Sequence, residues 1–250
     1  MRNFRHALPV LAVAVMLTAC GGGGEPAPSS TNAGAQLEAT PTTTQSKAVV
    51  QPVAQRAVSL AKSKLTVYAE ASATSKVVTK LAEKTPLGSP RVLLVTKTQP
   101  GWVQVSLPVR PNGGSGWIEA KNLRVEPVFG KIEVSLAKRT ITLLQSGKPV
   151  ATSAVAVGSK QNPTPTGNFY VVDRVKPSNP KGAYGAMALG LSAHSDTLSE
   201  FGNGDGQIGI HGTNEKDSIG KNVSHGCVRV PDSLTEALAG VPLGTPVTIS

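Results

Sequence analysis

The stretch Gln207-Ile208-Gly209-Ile210-His211-Gly212, followed across a polar spacer by Ser224-His225-Gly226-Cys227-Val228-Arg229, sets the reading of this chain. Ile208 and Ile210 alternate with glycine, which is the two-residue period of a strand ending on His211. Thr213 to Asn222 is polar, contains Gly220 and reads as an exposed loop. Val228 and Val230 then alternate around Arg229, so a second strand follows the cysteine. Two strand ends flanking one loop bring His211 and Cys227 together. A thiol attacks as thiolate, and a neighbouring imidazole takes its proton. The adjoining glycines let backbone approach a substrate and offer N–H groups to a developing oxyanion. On the residues alone, His225 competes with His211 as the base. His211, His225 and Cys227 are also an alternative zinc set, for which no fourth partner is evident.

Working outward, strands fill the chain from Phe129 to Ser250. Ile132, Val134 and Leu136 alternate with Glu133 and Ser135, Lys138-Arg139 turns, and Thr140 to Leu144 returns. Ser146-Gly147 turns the chain again, into Val150 to Val157. One helix is expected, capped by Asp232, burying Leu234 and Leu238, and ended by Gly240. Thr245 to Ile249 reads as a closing edge strand. The segment from about Lys176 to Leu198, with its Gly, Pro and Ser, reads as a mobile lid over the cleft. His194 is expected to be structural, and Asp196, Glu200 and Asp205 to be solvated loop charges.

Before this half, Val58 to Glu126 holds five short alternating runs beginning near Leu65, Val77, Arg91, Trp102 and Trp117, separated by turns such as Pro111-Asn112-Gly113-Gly114. That spacing predicts a small all-β barrel over 58–126, with Trp102 and Trp117 packing its core or rim. Residues 21–57 are rich in Gly, Ala, Pro, Ser and Thr and read as a flexible linker. Residues 1–20 have a basic start and an apolar run from Ala7 to Ala19. That run is short of the about 20 residues that span a bilayer, so the segment reads as an export signal.

The formal net charge is +10 over 250 residues, and loss of Arg2 and Arg5 with the signal lowers it by two. Such a charge favours anionic surroundings. The cations are scattered and no basic helix is present, so nucleic acid is not expected as a partner.

Several motifs resemble known families. Leu17-Thr18-Ala19-Cys20 resembles the lipobox of bacterial lipoproteins, which implies lipidation of Cys20 and an exported protein held at the periplasmic or extracytoplasmic face of a membrane. Cys227 is then left without a disulfide partner, which calls for an explanation by reactivity. Gly101-Trp102-Val103-Gln104-Val105 with Gly116-Trp117-Ile118 resembles bacterial SH3-like domains. Leu107 to Gly113 looks like the variant preceding some L,D-transpeptidase domains.

His211-Gly212 with Ser224 to Arg229, and Thr164-Pro165-Thr166-Gly167 upstream, resembles the YkuD-type L,D-transpeptidase catalytic domain over half the chain. The resemblance implies a mainly β protein: a small SH3-like β-barrel, then a mixed, mostly β-sandwich catalytic domain over 129–250. It implies Cys227 as nucleophile and His211 as base. The Gly212 carbonyl would be the orienting group, and His225 and Gly226 with Cys227 the oxyanion hole. Ser224 and Arg229 would be supports. The implied reaction is attack on a peptidoglycan stem tetrapeptide, loss of the terminal D-alanine and transfer to an amine of a neighbouring stem, giving a 3-3 cross-link. A cysteine hydrolase of the L,D-carboxypeptidase kind and a non-catalytic wall-binding lipoprotein are the alternatives. No cofactor or metal is expected, carbapenems are expected covalent inhibitors, and a monomer is the default.

Overall fold

The apolar runs fold almost wholly into strands. A computed structural model describes residues 50–202 and 204–250. The expected export signal, Cys20 and most of the expected linker lie outside them.

Seven strands form the first sheet: β1 (Ala54–Ser59), β2 (Leu65–Tyr68), β3 (Val77–Leu81), β4 (Val92–Gln99), β5 (Trp102–Ser106), β6 (Ser115–Glu119) and β7 (Leu123–Val128). Their order is β3-β2-β6-β5-β4-β1-β7. Five match the sequence reading. β1 and β7 are additions, and β1 corrects the linker expectation. That reading ran to residue 57, yet Ala57 is fully buried between β4 and β7. Alanines interleaved with the polar Gln55 and Arg56 hid the strand, because backbone pairing on both sides needs no bulky apolar side chain.

The second half adds β8 (Gly130–Ser135), β9 (Thr140–Gln145), β10 (Lys148–Ala154), β11 (Val157–Gly158), β12 (Gly167–Val175), β13 (Ala188–His194), β14 (Gln207–His211), β15 (Asn222–Ser224), β16 (Val228–Arg229) and β17 (Pro246–Ile249). Eight of these pair in the order β10-β9-β8-β17-β12-β13-β14-β16, while β11 and β15 pair separately. The β9–β10 turn has Ser146 at φ 53° and Gly147 at φ 75°, the two positive φ values a tight hairpin demands. β17 is not the edge strand the sequence implied. It lies between β8 and β12 with Val247 and Ile249 buried, and Pro246 is tolerated as its first residue.

β12 is shared between two cores. Phe169 and Val171 pack with Ile132, Ile141, Leu191 and Ile210 in one. Tyr170 and Val172 pack with Leu65, Leu93, Val105 and Ile118 in the other. A strand buried on both faces reads as an unbroken apolar run, not an alternation. Polar ties cross the same seam. The Tyr170 hydroxyl donates to the Ser106 carbonyl at 3.2 Å, Thr85 donates to the buried Asp173, and Arg56 donates to the Leu243 carbonyl at 2.7 Å. Residues 48–250 accordingly form one unit.

The helix α1 (Asp232–Ala239) buries Leu234 and Leu238 as expected, worth about 1.5–3 kcal/mol per side chain. Its N-cap is Pro231, so Asp232 lies inside the first turn, where it pairs with Lys216 at 3.1 Å. Gly240 does end it. β13 occupies the second half of the expected lid and is largely buried, which leaves residues 176–187 as the loop.

Candidate active site

β14 and β16 run parallel, with Ile210 opposite Val228 and His211 opposite Arg229. This pairing puts Cys227, just before β16, beside Gly209. The Gly209 N–H donates to Cys227 Sγ at 3.3 Å. A Cβ placed on Gly209 would lie 3.9 Å from His211 Cδ2 and 4.0 Å from Cys227 Sγ. Sulfur and imidazole therefore both lie within 4 Å of one point beside Gly209, so they are well under a nanometre apart.

His211 is buried, and its Nδ1 donates to the Gly212 carbonyl at 2.6 Å. A carbonyl only accepts, so this bond places the proton on Nδ1 and leaves Nε2 as the basic nitrogen. Burial lowers the imidazole pKa from its usual value; the Gly212 bond opposes this and the Arg229 charge reinforces it. Burial also raises the thiol pKa, against the Gly209 N–H and the Arg229 charge. Desolvation disfavours each ion, and both shifts favour the neutral thiol and the neutral imidazole.

The Ser224–Cys227 turn is fastened from inside. Ser224, itself buried, donates through Oγ to the Cys227 carbonyl at 2.6 Å and accepts from the Gly226 N–H at 3.1 Å. Gly226 has φ +119°, and a Cβ there would come within 2.9 Å of Ile208 Cδ1. The second fastener is Thr164, the first threonine of Thr-Pro-Thr-Gly. Its hydroxyl accepts from the Gly158 N–H and donates to the Gly226 carbonyl, both at 2.8 Å. Beside this bridge lies a cavity of about 490 Å³ lined in part by Gly158, Lys160, Pro163, Thr164 and Asn222.

The Ser224 bond corrects one expected role, because it occupies the Gly226 N–H. The described hydrogen bonds leave the N–H groups of His225 and Cys227 unengaged. The His225 side chain is exposed and stacks on Phe201, with ring centroids 5.2 Å apart. Arg229 is ion-paired to Glu215 at 2.6 Å. His194 is buried and bonds Asp205 at 3.1 Å, while the Asp205 carboxylate stays largely exposed, as expected of a solvated loop charge.

Sequence reasoning missed Tyr184. Its ring sits 4.7 Å from that of His211, tilted 55°, and burial followed by the nearby Cys227 charge raises its phenol pKa. The next residue, Gly185, rests on Gly212; a Cβ on it would lie 2.6 Å from Gly212 Cα. A lone Tyr in a loop carries no periodic signal. Only its place in the fold brings it to the site.

These features lie in a region similar to known proteins. The family model of the L,D-transpeptidase catalytic domain matches residues 130–249. A candidate L,D-transpeptidase of Bacillus subtilis (strain 168), YkuD, is 41% identical over 120 residues, covering 48% of this chain and 65% of that protein. A second from the same organism, YqjB, is 31% identical over 138 residues, covering 50% of this chain and 74% of that one. The NMR structure of the catalytic domain from E. faecium L,D-transpeptidase is 27% identical, covers 48% of this chain and 96% of that one, and superposes with a TM-score of 0.36.

Proposed function

Because the chain belongs to the YkuD-type L,D-transpeptidase family, we propose that it is a cysteine acyltransferase cross-linking peptidoglycan stem peptides. One observation carries the reading: the Cys227 thiol and the His211 imidazole both lie within 4 Å of one point beside Gly209, and the imidazole presents its basic nitrogen because Nδ1 is tied to Gly212.

In the first half-reaction, His211 Nε2 takes the Cys227 proton as the sulfur attacks the stem-peptide carbonyl. The N–H groups of His225 and Cys227 receive the oxyanion. The C–N bond to the terminal D-alanine breaks, and the imidazolium returns its proton to the leaving amine. In the second, an amine of a neighbouring stem attacks the thioester, His211 accepts the amine proton, and the thiol is restored. The pKa directions support this order. A thiol held protonated until substrate arrives is protected from oxidation, and a neutral imidazole is ready as base.

The seven-stranded sheet would be the SH3-like module and residues 129–250 the catalytic domain. Cys20 would carry the lipid that holds the mature protein at the extracytoplasmic side of a membrane. Mass spectrometry of the mature N-terminus, with release of a C20A variant from the membrane fraction, tests the anchor.

Incubation with disaccharide-tetrapeptide tests the chemistry. Cross-linked dimers accompanied by released D-alanine are expected, together with a covalent carbapenem adduct on Cys227. Tripeptide alone would favour the hydrolase, and neither product nor adduct would overturn the catalytic reading.

A further inference from the structure

The stretch Leu107–Gly113 joins β5 to β6, on the first sheet, yet its side chains grip the catalytic half. Arg110 donates to three main-chain carbonyls on the segment between β13 and β14: Nη1 to Ser195 at 2.6 Å, and Nη2 to Leu198 at 2.7 Å and Asp205 at 2.9 Å. Asn112 pairs with the backbone of His194 in both directions, accepting from its N–H at 2.9 Å and donating to its carbonyl at 2.7 Å. It also donates to Asp196 Oδ1 at 3.2 Å. A guanidinium offers its donors in a fixed fork, so three carbonyls are held in one geometry.

The gripped loop is shaped for this. Its neck closes through the Ser195 N–H donating to the Gly206 carbonyl at 2.8 Å. Gly206 has φ +76°, and a Cβ there would lie 2.3 Å from the Leu198 carbonyl oxygen and 2.8 Å from Arg110 Nη2. Only glycine lets the chain close over the guanidinium.

From this loop three paths reach the reacting groups. Phe201 stacks on His225, the residue before Gly226. Thr197 Oγ1 donates to Asn162 Oδ1 at 3.2 Å, two residues before Thr164, which holds the Gly226 carbonyl. β14 leaves the loop directly at Gln207 and carries Gly209 and His211.

We infer that Arg110 and Asn112 are positioning residues of the transfer reaction, and that the first sheet serves as a scaffold for the rim of the active site. They fix the 194–206 loop, and through it the seat of His225 and of the 162–164 segment. The inference rests on the acyl-transfer reading and extends it to a task for the N-terminal module. The bonded carbonyls are main-chain atoms, so a residue at 110 without donors leaves them to water and frees the loop to sample other shapes.

Purified full chains carrying R110A, R110K, N112A and, as a remote control, K121A test this on disaccharide-tetrapeptide. R110A should lower kcat/KM by about tenfold to a hundredfold, mainly through KM, since a misplaced rim costs orientation. Alkylation of Cys227 by iodoacetamide should stay within about twofold of wild type, a split that general unfolding would not produce. R110K should recover part of the loss, N112A should act in the same direction, and K121A should have no effect. Deuterium uptake over 194–206 should quicken in R110A and N112A. Wild-type turnover in both folded alanine variants would overturn the inference. If R110A does not fold, R110K and N112A decide. Absence of turnover in wild type would defeat the acyl-transfer reading instead, and unchanged deuterium protection in N112A would then defeat the clamp.

Discussion

The two walls around the candidate dyad are built differently. On the sulfur side, the Ser224–Cys227 turn is held by hydrogen bonds from buried side chains: two through Ser224 and one from Thr164. On the imidazole side, Tyr184 and Gly185 lie against His211 and Gly212 by van der Waals contact. The bonds described for residues 179–185 are local, such as the Gly185 N–H to the Gly182 carbonyl, and a single backbone bond, from the Gly212 N–H to the Met187 carbonyl at 3.1 Å, ties the end of the loop to this side. A nucleophile needs fixed geometry, since small displacements cost orientation. Tyr184 and Gly185 themselves hold their side by contact, which costs less to displace than a set of buried hydrogen bonds. The difference separates a hydrogen-bonded wall from a wall made mainly by contact.

Tests of this contrast rank by expected effect. C227A should remove turnover and carbapenem adduct formation entirely, while the thermal transition stays close to wild type, because the lost thiol donates no bond that holds the fold. H211N should reduce kcat/KM by about a hundredfold to ten-thousandfold, the range for loss of a general base. Residual activity near wild type would show that His211 is not the base.

T164V strikes the fastened wall. It strands a buried Gly158 N–H and the Gly226 carbonyl, so thermal unfolding should show a loss of about 1–3 kcal/mol, with slower alkylation of Cys227. Y184A strikes the contact wall. It should change stability by no more than about 0.5 kcal/mol but alter the base. Because burial depresses the His211 pKa, exposing the ring should raise its NMR titration midpoint toward the ordinary imidazole value. The acid limb of kcat/KM should then move to higher pH. If Y184A proved as destabilising as T164V, the contrast between the walls would fail.

R229Q gives the smallest and most diagnostic effect. Arg229 lowers both pKa values. Its removal should raise the His211 midpoint and also raise the pH at which Cys227 becomes alkylated. Opposite movement of the two groups would mean that Arg229 does not act on them through its charge.

The chemistry was legible because it is local. His211-Gly212 and Ser224 to Arg229 are each continuous, and the polar spacer between them reads directly as a loop. The hairpin at Ser146-Gly147 and the apolar face of α1 were equally plain, since turn residues and four-residue spacing leave a signal along the chain. β1 was hidden by alanines interleaved with polar residues, and β12 by burial on both faces, which removes the alternation that marks a strand. Thr164 was recognised as part of a motif, but its task became visible only when Gly158 and Gly226 were found on either side of its hydroxyl.

Sequence alone determined the family motifs with their candidate thiol and imidazole, and the mainly β character of the chain, because motif and residue period are properties of a few neighbours. Tertiary structure decided that Arg110 and Asn112 reach the segment between β13 and β14, that the Tyr184 ring lies beside the imidazole, and that Ser224 engages the Gly226 N–H. Each of these joins groups brought together by folding or by a turn's shape, and hydrogen bonds of about 3 Å leave no trace in the order of residues.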